Sequence, residues 1–135
     1  MLSTRLKDIA NKYSVFILSA TQLSGDYADA ETPDQNLLRG AKSIADKIDM
    51  GAIILPVKDK DLESLQPTLS SGVFEKPTLK ISIYKNRRGA FKGIYLWCKA
   101  NLGTCRVQPM FVTTYSYDLL KLMKQKLMLF KGEIL

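Results

Sequence analysis

Hydrophobic and polar positions change rhythm several times along this chain, and each rhythm predicts a different element. Leu2, Leu6, Ile9, Ala10 and Tyr13 recur at helical spacing, with Arg5, Lys7, Asp8 and Lys12 on the other faces, which predicts an amphipathic helix. A nearly continuous apolar run follows at Val15-Phe16-Ile17-Leu18-Ser19-Ala20, the pattern of a strand buried on both faces of a helix-covered parallel sheet. Thr21 and Gln22 then put polar side chains at the carboxyl end of that strand, where open α/β sheets bind ligands. Residues 24–36 are polar and acidic, broken by Gly25 and Pro33, and read as a loop. Leu37, Leu38, Ala41, Ile44, Ala45 and Ile48 return to helical spacing, although Gly40 argues against one unbroken helix. Gly51-Ala52-Ile53-Ile54-Leu55-Pro56-Val57 is a second buried-strand run, stopped near Pro56. This alternation predicts an α/β fold with parallel neighbours.

After a charged connector at 58–63 and a Pro/Ser/Gly-containing stretch to about Pro77, the period shortens to two. Leu79, Ile81 and Ile83 alternate with Lys80, Ser82 and Tyr84; Asn86-Arg87-Arg88-Gly89 is a turn; and residues 91–98 make the return strand. The segment 79–98 therefore reads as a hairpin with basic residues at its tip, and 106–112 as one more strand. Leu119, Leu122, Met123, Leu127 and Phe130 form a last helical stripe, with Ser116 as its N-cap and Asp118 near the positive end of the helix dipole. Lysines 121, 124, 126 and 131 decorate that stripe, which reads first as packing on its own domain and otherwise as a membrane-surface or partner-binding helix.

Composition narrows the chemistry. The 135 residues suffice for one domain with a real core. No apolar stretch approaches the ~20 residues that cross a bilayer, and the N-terminus lacks the apolar core of a signal peptide. With no histidine, Ser-His-Asp and Cys-His nucleophile systems and imidazole metal sites are excluded. Cys98 and Cys105 read as two reduced, buried thiols of a cytosolic protein. The net charge of +7 is unevenly spread: residues 1–75 carry −3, residues 76–117 carry +8 without a single carboxylate, and residues 118–135 carry +2. Such a band makes a positive field suited to phosphate, on nucleic acid or on nucleotide.

One requirement is missing. A nucleotide hydrolase of α/β type needs a glycine-rich loop ending in Gly-Lys-Ser/Thr between a strand and a helix. Gly89-Ala90-Phe91-Lys92-Gly93 has the residue types but lies in the hairpin, and no acidic strand end offers itself to Mg²⁺. Alone, this polypeptide is not expected to hydrolyse ATP.

Three stretches, in order, resemble the C-terminal half of the RecA-like motor domain of DnaB-type replicative helicases, over residues 1 to about 110. Leu18-Ser19-Ala20-Thr21-Gln22-Leu23 is similar to the family's apolar strand ending in Ser-Gln-Leu. Leu38-Arg39, followed by Ser43-Ile44 and Asp49, is similar to its Leu-Arg-Glu-Ser-Gly-Ser-Ile stretch and later Asp. Lys85-Asn86-Arg87-Arg88-Gly89 is similar to Lys-Gln-Arg-Asn-Gly at the tip of a strand pair. The RadA-like recombination ATPases, with Lys-Asn-Arg-Phe-Gly, come about as close at the third stretch; Leu38-Arg39 with Ser43-Ile44 favours the helicase.

The resemblance implies a partial RecA-like α/β fold over residues 1–115, with a central, largely parallel sheet flanked by helices and a C-terminal β-hairpin; the amphipathic helix read over 116–135 is an extension that the resemblance does not cover. It also implies that a sheet lacking its other strands has an exposed edge that favours self-association. Gln22 would be the sensor of the γ-phosphate, an amide able both to donate and to accept. Arg39 would lie in a loop contacting the single-stranded DNA backbone. There Gly40-Ala41-Lys42 replaces the family's Glu-Ser-Gly, so Lys42 adds a charge and leaves the contact geometry open. Lys85 and Arg87 would reach a neighbouring subunit's ATP, while strand alternation turns Arg88 to the other face, as a solvated charge or a DNA contact. The whole protein would be a cytoplasmic, hexameric, ATP- and Mg²⁺-dependent helicase on single-stranded DNA, with no membrane partner. A free-standing basic module that binds nucleic acid or a helicase without enzymatic activity is the alternative from a different class.

Overall fold

The computed structural model describes residues 2–22 and 42–120. Along them run α1 (Leu2–Tyr13), α2 (Lys42–Lys47), β1 (Met50–Pro56), α3 (Asp59–Ser64), α4 (Gln66–Leu69), β2 (Leu79–Asn86), β3 (Ile94–Asn101) and β4 (Arg106–Thr114). Two compact units emerge. Among the described residues, one comprises those up to Ile53 together with Tyr84–Lys92, and the other comprises Ile54–Ile83 and the residues from Gly93 on.

The expected partial RecA-like architecture, a largely parallel sheet flanked by helices, does not form. The four strands lie in the order β1-β2-β3-β4, and β2–β3 and β3–β4 are antiparallel. Backbone bonds from Val57 N–H to Thr78 O (3.1 Å) and from Arg87 N–H to Asp49 O (2.8 Å) bracket β1 and β2 with the same opposed sense. Short connections explain the β2–β3 and β3–β4 pairs, because parallel neighbours need crossovers of a dozen residues or more. The described helices are short, apart from α1.

Residues 15–20, expected to be a doubly buried strand, are not in a strand. Phe16 and Leu18 stand 88% and 85% exposed. An apolar run states how much burial a segment favours, but a strand exists only through a pairing partner, and none is present among the described residues. The helix ahead of this run forms as expected. Its end follows a Schellman pattern: Val15 N–H donates to Ala10 O at 3.1 Å, with Ser14 in the left-handed region at φ 52°.

The second expected buried strand does form, as β1, but only alternate residues are buried. Gly51, Ile53 and Leu55 face inward, while Met50 and Ile54 are exposed. The close approach of Tyr84 requires Gly51, since a Cβ there would lie 2.4 Å from the tyrosine ring. Of the helix read over 37–48, α2 covers 42–47, and residues 37–41 lie outside the described residues, as does the loop read at 24–36.

The hairpin forms with Leu79 opposite Cys98 and Ile83 opposite Ile94. Its better-covered face carries the polar parity: Lys80 and Ser82 are buried opposite Trp97 and Tyr95, whereas Leu79, Ile81 and Ile83 are half-buried. Leu65, between α3 and α4, joins Tyr95, Trp97 and Phe111 in the core of this unit. A bulge at Trp97/Cys98 buries both residues in succession, and opposite it Pro109 sits on the edge strand β4, which spares its missing N–H. Cys98 is buried as expected; Cys105, also expected to be buried, is exposed because it falls in the β3–β4 turn rather than in a strand.

No helix begins at 116–120. Tyr117 has φ 66°, Leu119 bridges back to Thr113, and Leu120 N–H donates to Val112 O at 2.9 Å, so the chain folds back along β4. Ser116 is therefore not the N-cap of a helix starting at 117, and Asp118 offers its carbonyl to Thr114 N–H. Residues 121–135 of the expected helix lie outside the described residues.

Candidate functional site at the basic hairpin tip

The strand β2 ends at Asn86, and that side chain builds the tip. Its Oδ1 accepts Gly89 N–H at 2.9 Å and its Nδ2 donates to Phe91 O at 3.0 Å, so one amide closes the turn from both ends. Gly89 follows from this arrangement, because a Cβ there would lie 2.0 Å from the Asn86 amide. Gly93 returns the chain to β3 at φ 68°, its N–H donating to Ile83 O at 2.8 Å.

Four cations stand on this frame. Lys85 is half-buried on β2; Arg88 and Lys92 are exposed. Arg87 is held on one side by the segment that leads into β1. Its N–H bonds Asp49 O at 2.8 Å, its Nη2 donates to Asp46 O at 3.3 Å, and its Nη1 lies 3.7 Å from Asp49 Oδ1. The other Asp49 oxygen takes the Lys7 ammonium from α1. The Lys7 hydrogen bond, aided by the charges of Arg87 and Arg88, holds the Asp49 carboxyl below the usual carboxylate range. The side chain of Arg87 remains 51% exposed.

The remaining predicted positions are less defined. Gln22 is exposed at the end of the first described stretch, with no strand beneath it. Lys42 opens α2, and Arg39 lies outside the described residues. Gln22, Lys42, Lys85, Arg87 and Arg88 all fall in the same compact unit. Geometry thus gathers Lys85, Arg87 and Arg88 at one tip. Strand alternation does not set the direction of Arg87, because β2 stops one residue earlier; the acceptors at 46–49 set it instead.

Sequence reasoning assigned no role to Asp49, although it stands in the second matched stretch, and it missed a second polar cluster altogether. Asp61, at the third position of α3, accepts Lys58 N–H at 2.9 Å, Tyr117 OH at 2.8 Å and Lys80 Nζ at 2.6 Å. Lys80 also lies over the rings of Tyr95 and Trp97, at 5.1 and 5.9 Å. Burial pushes the Asp61 carboxyl up, but Lys80, the Lys58 amide and Tyr117 outweigh it, so the net direction is down. Burial, aided by Tyr115 and Asp61, pushes the Tyr95 phenol up to about 12, and burial with the Asp61 hydrogen bond pushes Tyr117 up further. A lysine inside an apolar alternation was the available signal.

Among the described residues, no group of three or more His, Cys, Asp or Glu side chains could hold a metal ion. No helix among them is long and apolar enough to cross a membrane.

No protein-family model matches the chain. The chain is similar to the SPbeta prophage-derived uncharacterized protein YorI of Bacillus subtilis (strain 168), with 34% identity over 128 residues. That match covers 92% of this chain and 25% of YorI, so the chain spans about a quarter of the length of this curated relative. No solved structure matches.

Proposed function

We propose that this chain is one part of a ring-shaped, ATP-driven replicative DNA helicase that works in the cytoplasm on single-stranded DNA. The proposal rests on the order of the three matched stretches and, above all, on the hairpin tip, where an anchored Arg87 keeps half its surface exposed beside Lys85 and Arg88. The fourfold greater length of YorI is in keeping with a longer polypeptide that supplies the phosphate-binding loop.

In this reading the hexameric ring hydrolyses ATP at its subunit boundaries. Water attacks the γ-phosphorus, the bond to the β–γ bridging oxygen breaks, that oxygen leaves with ADP, and a water proton passes to solvent. Charge grows on the oxygens of the transferring group, and Lys85 and Arg87 of the adjacent subunit neutralise it. Gln22 senses the γ-phosphate, while Arg39, Lys42 and Arg88 face the DNA backbone. Residues of the remaining polypeptide would hold Mg²⁺, which would supply further charge neutralisation on the phosphates.

The test has two parts. An antibody against this chain should detect a native product several times heavier than 15.2 kDa. In that product Lys85→Ala or Arg87→Ala should cut DNA-stimulated ATP hydrolysis by ~10³-fold or more. Unchanged hydrolysis in both variants would refute the assignment.

A second reading has its own observation: Arg88 and Lys92 are exposed within a band, 76–117, that contains no carboxylate. A free-standing binder of single strands would use these charges. Its affinity would fall steeply with salt, with a log–log slope of about −0.7 per phosphate contact, and would ignore ATP.

A further inference from the structure

Arg87 is oriented by acceptors that leave most of its hydrogen-bonding capacity unspent. A guanidinium carries five N–H donors in a rigid fork. A bidentate carboxylate partner at ~2.8 Å would occupy two of them and turn the fork inward. Here the carboxylate stands off at 3.7 Å, and among the described residues only Nη2 is committed, to the Asp46 carbonyl. The backbone of Arg87 is tied to the same short segment through Asp49 O. Asp49 therefore touches Arg87 twice, once through its carbonyl and once through its charge, and Lys7 occupies its other oxygen.

We propose that Asp49 is a positioning residue: its carboxylate, with the Asp46 carbonyl, holds the Arg87 guanidinium against the 46–49 segment while half of the side chain stays exposed, so that the remaining donors meet a phosphoryl oxygen already oriented. The inference rests on the reading of Arg87 as a cation that reaches nucleotide. Its physical basis is preorganisation. A long exposed arginine samples many rotamers, and fixing it before the reaction removes that cost from the barrier. Asp49 itself does not touch the nucleotide. Charge balance permits the arrangement, since Lys7 and Arg87 outnumber the one carboxylate and leave the tip positive.

The test is a double-mutant cycle in the native gene product, read as kcat and KM for DNA-stimulated ATP hydrolysis. Asp49→Asn should lower kcat by about tenfold to a hundredfold, the scale of a misplaced catalytic group, with KM for ATP within about twofold. The same change made on Arg87→Ala should add nothing, because the residue to be aimed is gone. Asp49→Glu, which keeps the charge, should recover most of the loss. Lys7→Gln controls for a merely structural role: it removes the other partner of Asp49 and should leave kcat within about twofold.

If Asp49→Asn leaves kcat intact while Arg87→Ala destroys it, the positioning role is overturned and the reading of Arg87 stands. If Asp49→Asn lowers kcat equally in the presence and absence of Arg87, Asp49 acts by another route and the inference fails. If Arg87→Ala is itself without effect, both fall. Should Asp49→Asn not fold, the Glu and Lys7 variants still decide: a Glu variant as impaired as Arg87→Ala, or a Lys7 variant that loses kcat alongside, overturns the proposal.

Discussion

The two compact units each contain a lysine–aspartate pair, and the pairs do opposite work. Asp61 and Lys80 are 3% and 7% exposed, close at 2.6 Å, and have additional partners in Tyr117, the Lys58 amide and two aromatic faces. Lys7, Asp49 and Arg87 lie in the other unit, with 24%, 43% and 51% of their side chains exposed. In the buried pair every oxygen of the carboxylate is engaged, so the cluster holds α3, β2 and the 115–120 return in place and has little left for a ligand. The exposed trio stabilises little, because solvent screens it, and for that reason it retains donors that can serve a phosphate. Full satisfaction marks a structural cluster; incomplete satisfaction at a surface marks one available for chemistry.

The largest expected effect breaks the buried pair. Lys80→Met should destabilise the chain by ~3–5 kcal/mol, since it strands an ionised carboxylate in the core. Replacing Lys80 and Asp61 together by apolar residues should cost much less. Denaturant titration of the single and double variants checks this, and equal losses in the two would show that packing, rather than charge, carries the effect.

The pH dependence sharpens the same contrast. The folded-state Asp61 carboxyl lies below its ordinary value of 3.8, so its contribution is fully present above about pH 4 and is lost as pH falls through the folded value. The stability gap between wild type and Asp61→Asn should therefore be constant near neutrality and shrink in acid. A gap that widened in acid would reverse the sign and overturn the account.

The smallest effect belongs to the exposed trio. Lys7→Gln should move the thermal midpoint by no more than about 2 °C, as expected of a screened surface pair. A shift as large as that of Lys80→Met would erase the distinction between the two clusters.

Some of this was legible from local pattern. The alternation at 79–84 and the turn residues Asn86 and Gly89 announced the hairpin, and the acid-free band announced its charge. The same alternation did not reveal which parity is better covered: Lys80 and Ser82 are buried because Asp61 and Tyr115 wait on that side, at sequence distances of 19 and 33 residues. The apolar run at 15–20 misled for a related reason. Its composition is that of an interior strand, yet composition carries no information about whether a neighbour is there to pair with.

The amino-acid sequence by itself determined the elements whose signals are local: the helix α1, the hairpin with its turn at 86–89, and the concentration of positive charge over 76–117. Backbone propensity, turn chemistry and charge act over a few residues and can be read in order. Tertiary structure alone decided the placement of β1 beside β2, the burial of Lys80 against Asp61, and the capture of Arg87 by Asp49. These depend on groups brought together from 19 to 38 residues away, and their free energies arise only when the chain has closed the distance between them.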